Sequence, residues 1–171
     1  ACSRAGESAR ACRYDPLSLP RLCLMVDIEQ LKEKFLDQDF DSKEFVLDAE
    51  KIVTVAKASG ETRPEFTDPA HPDFQAPPAY LCSLASGRHL PIDFPSLGGI
   101  PMDGGKAVTC LAPVRAGEPL TGRTHLHDIY DKKGRSGRMI LITARMELFD
   151  QADKHLATAD SRMVIREKPE A

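Results

Sequence analysis

The sequence predicts a single α+β domain in which one long antiparallel sheet curls around one buried helix. The 171 residues suit one domain. Helical patterns occupy the first half of the chain, and alternating strand patterns fill the last third, which is the order of an α+β fold. Because one helix does not cover both faces of such a sheet, we expect an edge or the outer face to pair with a second subunit.

The composition argues against several classes of protein. With 23 basic and 26 acidic side chains the net charge is −3, so no basic field is available for nucleic acid. No apolar run reaches the roughly 18 residues of a membrane-spanning helix. The cysteines lack metal-ligand spacing and are expected to be reduced thiols of a cytoplasmic protein. They are Cys2, Cys12, Cys23, Cys82 and Cys110.

The first 24 residues differ from the rest of the chain. They hold three of the five cysteines and four arginines against two acids, and no helix or strand period runs through them. We therefore expect a poorly ordered extension over 1–24 and a single folded domain over 25–171. A basic targeting arm is the alternative interpretation of this segment.

The helical part of the domain begins with two capped segments. Asp27 precedes a pattern typical of a helix over 28–37, and residues 43–47 form a short strand pattern. Asp48 is placed to cap a second helix, which ends near Gly60. This second helix is the one that we expect the sheet to enclose.

The middle of the chain is rich in proline and predicts little regular structure. A long loop is expected over 61–78, followed by a short helix over 79–86. The proline pair at the start of this helix and Gly87 after its end fit helix chemistry. Irregular chain is then expected as far as Gly105.

The last third alternates apolar and polar side chains at the period of half-buried antiparallel strands. Turn signals separate these strand patterns at 113–118, 131–134 and 150–154. The predicted strands cover 107–114, 120–130, 140–148 and 157–166.

Five segments resemble, in the same order, those of the MaoC-like hot-dog hydratases and dehydratases. They are Ala58–Pro69, Ala76–Tyr80, Pro113–Leu120, Asp128–Gly137 and Leu156–Ile165. The likeness spans 25–167 and is strongest to the N-terminal type of MaoC dehydratase domain. It implies a hot-dog fold, a long curved antiparallel sheet wrapped around a central helix. It also implies 2-enoyl-thioester hydratase or (R)-3-hydroxyacyl-thioester dehydratase chemistry, with the acyl group on coenzyme A or acyl carrier protein and no further cofactor.

The chain departs from this family at the residues that carry catalysis. Catalytic members have the loop Gly-Asp-x-Asn-Pro-x-His, whereas this chain has Glu61 at the Asp position and Phe66 at the His position. Pro77 and Pro78 replace a His-Gly pair whose backbone N–H polarises the thioester carbonyl. The resemblance therefore implies a non-catalytic subunit that completes a dimer and part of the acyl tunnel. Its partner would be a second copy or a catalytic MaoC-like subunit that supplies the Asp and His.

Two alternatives are open, so the sequence does not decide whether the chain is itself an enzyme. One is a stand-alone hot-dog thioesterase or hydratase that uses Glu61 as base. The other is an acyl-CoA-binding module without turnover. The resemblance points to Phe66, Pro78, Ala79 and Tyr80 as substrate contacts, and core packing is the alternative role for Phe66 and Tyr80.

Two further groups of side chains are candidates for binding sites. Lys132, Lys133 and Arg135 form a basic cluster that could contact coenzyme phosphates or an acidic carrier protein, or simply face solvent at a hairpin tip. His125 and His127 share one face of a strand, but the sequence shows no third ligand, so we predict no metal site.

Overall fold

A computed structural model describes residues 27–135 and 137–166, and the predicted extension at 1–24 lies outside them. The fold is α+β, as predicted. The elements in chain order are α1 Ile28–Phe35, β1 Asp39–Val46, α2 Ala49–Ala58, α3 Pro64–Thr67, α4 Pro78–Leu81, β2 Ile100–Cys110, β3 Pro119–Gly134, β4 Gly137–Phe149 and β5 His155–Arg166. Within the described ranges, no helix combines the length and apolar character needed to cross a bilayer.

The five strands form one antiparallel sheet in the order β1-β3-β4-β5-β2. The chain enters at one edge through β1, crosses over with α2, α3 and α4, and returns at the opposite edge as β2. Strands β3, β4 and β5 then fill the centre. This is the hot-dog arrangement that the resemblance implied.

Helix α2 packs over one half of the concave face of the sheet. Asp48 caps it, with Oδ1 accepting a hydrogen bond from the Lys51 N–H at 3.0 Å. Its apolar side chains Ile52 and Ala56 are fully buried, and Ile52 belongs to a core that also contains Leu120 of β3. Helix α2 is therefore the central helix that the sequence predicted.

Helix α1 covers the other half of the same face. Asp27 caps this helix, and Leu31 and Phe35 are buried against Ile129 and Ile142 of the sheet in a second core. The concave face is thus closed by two helices, whereas one was expected. The convex face carries the side chains that alternate with these buried positions.

Two strands extend beyond their predicted bounds because cross-strand pairing overrides weak local signals. β1 begins at Asp39, four residues before the predicted strand at 43–47. β2 begins at Ile100, inside the segment expected to be irregular, and its pairing to β5 tolerates a register shift between Asp103 and Lys106. Gly105, with φ of 92°, supplies the left-handed backbone at that bulge.

The β3–β4 hairpin also differs from the prediction. The turn signals at 131–134 lie inside β3, which remains paired with β4 until Gly134 faces Gly137. The turn itself falls after Gly134, and the two lysines before it extend along the strand. Polar residues predicted a turn here, but exposed strand ends also carry charged side chains.

The proline-rich segment holds two short helices. α3 lies inside the predicted loop at 61–78 and begins at Pro64, where proline is favoured. The predicted helix at 79–86 is shorter and ends at Leu81. The Lys106 Nζ donates to the Cys82 carbonyl at 2.9 Å, which gives this carbonyl a partner outside the helix.

Candidate functional site

The candidate site begins where α2 ends. Gly60 adopts a left-handed φ of 79°, and the Glu61 N–H donates to the Ala56 carbonyl at 2.9 Å. This is a glycine-based C-terminal cap, which turns the chain sharply out of the helix. The cap fixes Glu61, at the family's Asp position, directly beside the end of the central helix.

Both carboxylate oxygens of Glu61 are occupied by hydrogen bonds. Oε1 accepts from the Thr62 and Arg63 backbone N–H groups and from Arg63 Nε, at 3.0–3.1 Å. Oε2 accepts from Arg63 Nη2 at 2.7 Å. These bonds, chiefly those from the Arg63 side chain, lower the pKa of the Glu61 carboxyl to about 2. Glu61 is therefore an anion with little tendency to take up a proton.

The same guanidinium also covers Phe66. Pro64 begins α3, which turns Phe66 back so that its ring lies 4.5 Å beneath the Arg63 guanidinium carbon, in cation–π geometry. The Phe66 side chain is buried. We call Glu61, Arg63 and Phe66 the arginine clamp.

The sequence prediction did not single out Arg63. The available signal was its position, because Arg63 stands where the catalytic loop Gly-Asp-x-Asn-Pro-x-His carries Asn. A guanidinium has five donors and no acceptor, so it pairs with a neighbouring carboxylate far more strongly than an amide does. The clamp thus joins the two altered dyad positions to each other.

The other predicted substrate contacts lie on α4. Pro78 is the first residue of this helix, and neither it nor Pro77 offers a backbone N–H to a carbonyl. Tyr80 is buried in the same core as Ile52, whereas Pro78 and Ala79 are exposed. Helix α2 contacts both α3 and α4, so the clamp and α4 flank the central helix.

A cavity of about 40 Å³ lies on the concave face of the sheet. Small and polar side chains line part of it, including Ser86, Thr124, Ala144, Ala159 and Ser161. The Thr124 hydroxyl is buried and has no hydrogen-bond partner among the described residues. The four predicted substrate contacts do not line this cavity, so one protomer does not bring them together with it.

The basic cluster lies at the far end of β3. Lys132, Lys133 and Arg135 are all exposed, and the Lys132 ammonium lies 5.4 Å over the Tyr130 ring. Leu120 of β3 belongs to the same core as Ile52 of α2. At about 3.3 Å per residue, the strand between Leu120 and Lys132 spans roughly 40 Å. Within one protomer the cluster is therefore remote from the arginine clamp.

The fold and these side chains define a hot-dog domain whose two dyad positions are held by a carboxylate–guanidinium pair and an aromatic ring. Residues 34–159 match the family model described as FAS1-like, dehydratase domain region. The chain belongs to this family of MaoC-like hot-dog dehydratases.

The chain is also similar in sequence to a curated protein and in fold to two solved structures. A UPF0336 protein from Streptomyces coelicolor is 32% identical over 134 residues, covering 71% of this chain and 85% of its own length. A MaoC-like dehydratase from Phytophthora capsici is 23% identical with a TM-score of 0.59, and the match covers 81% of this chain and 50% of that one. The HadBC (3R-hydroxyacyl-ACP dehydratase) complex from Mycobacterium tuberculosis is 17% identical with a TM-score of 0.54. This match covers 75% of this chain and 99% of the matched chain.

Proposed function

We propose that this chain is the non-catalytic hot-dog subunit of a 2-enoyl-thioester hydratase or (R)-3-hydroxyacyl-thioester dehydratase. The reaction adds water reversibly across the C2–C3 double bond of the acyl group. It needs a group that moves protons and a group that activates water. The observation that carries the proposal is the arginine clamp, because it occupies both positions where the family has these groups.

Proton affinity argues against Glu61 as the base of a stand-alone hydratase or thioesterase. With a pKa of about 2, Glu61 is a base weaker by about 10⁵ than one matched to pH 7. Arg63 donates to both carboxylate oxygens, so a water bound at a remaining lone pair of Glu61 would meet a weak base. Phe66 has no group that can donate or accept a proton.

The edge strand β2 supports a role in assembly. It pairs with β5 on one side only, and all its residues except Val108 are exposed. Among them are the large apolar side chains Ile100 and Met102. A long unpaired edge with apolar side chains is a template for a second strand. We propose that a second hot-dog subunit pairs here, either another copy of this chain or a catalytic MaoC-like chain. The similarity to the HadBC complex supports a partner of this kind.

The substrate follows from this role. We propose an acyl group carried on coenzyme A or acyl carrier protein, with no further cofactor, and Lys132, Lys133 and Arg135 contacting the phosphates or the acidic carrier. We propose that in a dimer the basic tip of one protomer contacts substrate bound at the site of the other. The free thiols of Cys82 and Cys110 support a place in the cytoplasm, and the proposed acyl substrate implies a role in fatty-acid metabolism.

An assay of 2-enoyl-CoA hydration, in which the loss of the substrate's ultraviolet absorbance is measured, tests this function. The purified chain alone is expected to show no turnover with a short or a longer substrate. Co-expression with a hot-dog subunit that has an intact Gly-Asp-x-Asn-Pro-x-His loop is expected to give activity. Turnover by the chain alone that disappears in Glu61→Gln would contradict the proposal. Tight acyl-CoA binding without activity in either preparation would favour the binding-module alternative.

A further inference from the structure

A second group of side chains lies on the convex face of the sheet, away from the arginine clamp. Asp37, His125 and His127 each offer a ligand atom, and these atoms lie within 4.8 Å of one another. Imidazole nitrogen and carboxylate oxygen are common ligands of first-row divalent metals. We propose that these three side chains bind one divalent transition-metal ion, with Zn²⁺ the best match. The site does not depend on the function proposed above.

The spacing of the ligand atoms fits one ion. His125 Nε2 lies 4.0 Å from Asp37 Oδ1, which is too long for a hydrogen bond. Two ligands of one ion, each about 2.1 Å from the metal, are roughly 3.4 Å apart in a tetrahedron and about 4.2 Å apart on opposite sides. The ligand atom of His127 lies within 4.8 Å of the other two. Rotation about the His127 side-chain torsions can shorten this distance to the roughly 3.4–4.2 Å that separates two ligands of one ion.

Backbone irregularities on two segments bring these side chains together. The β3 register shifts between Leu126 and Asp128, so His127 occupies a bulge, where strands commonly re-aim a side chain. Asp37 has a left-handed φ of 55°, and its N–H donates to the Leu126 carbonyl at 2.9 Å. This hydrogen bond anchors the Asp37 backbone to Leu126, the residue between His125 and His127 in β3.

The surrounding charges favour a cation. Asp39 is paired with His125 across β1 and β3, and its Oδ1 lies 3.8 Å from His125 Nδ1, on the other side of the ring from Asp37. A carboxylate behind a ligating imidazole is the usual way in which such a ring is oriented toward a metal. On β4, the neighbouring Arg145 donates two hydrogen bonds to Asp160, at 2.7 and 2.9 Å, so its charge is paired.

The burial of these groups indicates a structural ion that solvent can reach. The His125 side chain is 12% exposed, whereas that of Asp37 is 70% exposed. Water can therefore enter from the Asp37 side and complete the coordination. The ion would tie the segment between α1 and β1 to the centre of β3, so binding is expected to raise the melting temperature.

Metal titration of the untagged full chain tests this site. After chelator treatment, we expect one equivalent of Zn²⁺ to bind by calorimetry and to raise the melting temperature. Co²⁺ should give a visible ligand-field spectrum without the intense near-ultraviolet band of a thiolate ligand. Asp37→Asn and His127→Gln should each weaken binding at least tenfold.

The chain contains a matched control for Asp37. Asp153 is also a left-handed aspartate, with φ of 61°, and pairs with Arg123 at the β4–β5 turn. Asp153→Asn is expected to leave metal affinity unchanged. The proposal is overturned if no stoichiometric binding occurs, if Co²⁺ shows thiolate ligation, or if Asp37→Asn and Asp153→Asn bind alike.

Discussion

Among single residues, Arg63 has the largest influence on the chemistry of the loop after α2. Its guanidinium bonds to Glu61 and lies over Phe66, so one side chain binds both positions of the family's dyad. Glu61 keeps the charge type of the family's Asp, yet the clamp lowers the pKa of its carboxyl to about 2. The Glu61 carboxylate is thus a weaker base than an unpaired carboxylate.

The clamp predicts a pH-dependent stability that Arg63→Gln reduces, since the bonds from the backbone N–H groups at positions 62 and 63 remain. The Glu61 pKa is about 2 in the folded chain, below its ordinary 4.5, so its contribution is complete above about pH 4.5. It is lost as the pH falls toward 2. The melting temperature of Arg63→Gln should therefore be below that of the parent chain at pH 6, and the difference should shrink toward pH 2.

Thermal melts across this pH range check the prediction. Arg88→Gln, which removes an exposed guanidinium outside the clamp, is the matched control. A difference between Arg63→Gln and the parent chain that stays constant from pH 6 to pH 2 would show that Arg63 does not act through the Glu61 carboxylate.

Among the elements, β2 is one of the two edge strands of the sheet, with β1 at the opposite edge. Its partner β5 lies on one side, while Ile100 and Met102 are 55% and 42% exposed in the single chain. A charged side chain on an edge strand opposes pairing with another strand. If a second subunit pairs at this edge, as proposed, a charge introduced there should weaken assembly.

Met102→Lys is expected to weaken self-association or association with a catalytic subunit at least tenfold, about 1.4 kcal/mol. Light scattering after size exclusion, over a range of protein concentrations, measures this change. Ile92→Lys is the matched control, because Ile92 is 78% exposed but precedes the edge strand. Equal association of the two variants would place the subunit contact elsewhere.

The elements that the sequence predicted well are those with a local physical signal. Asp27 and Asp48 cap the helices that follow them, and the alternating apolar residues of β4 define its buried face. The start of β2 was missed because Ile100 pairs with the distant Arg166 of β5, which no local pattern reports. The end of β3 was missed because its charged, exposed residues resemble a turn signal, although Gly134 pairs with the nearby Gly137.

For the whole molecule, the order of helices and strands predicted an antiparallel sheet curled around a helix, and the resemblance of five segments implied the hot-dog fold. The clamp, in contrast, is visible only in three dimensions. The substitutions at Glu61 and Phe66 were visible in the sequence, but the clamp that joins them was not. Asp37 likewise was not predicted as a neighbour of His125, since a left-handed backbone and a strand bulge bring them together. Both sites arise from side-chain geometry that periodicity does not encode.

The most direct test of the non-catalytic role compares two knockouts in the assembled complex. In a complex with a catalytic MaoC-like subunit, replacing the loop His of the partner by Ala should abolish hydration of 2-enoyl-CoA. Glu61→Gln in this chain should leave kcat within about twofold of the parent complex, because Glu61 moves no proton. If Glu61→Gln instead lowers kcat a hundredfold or more while the partner's His→Ala retains activity, catalysis resides in this chain and the account is contradicted.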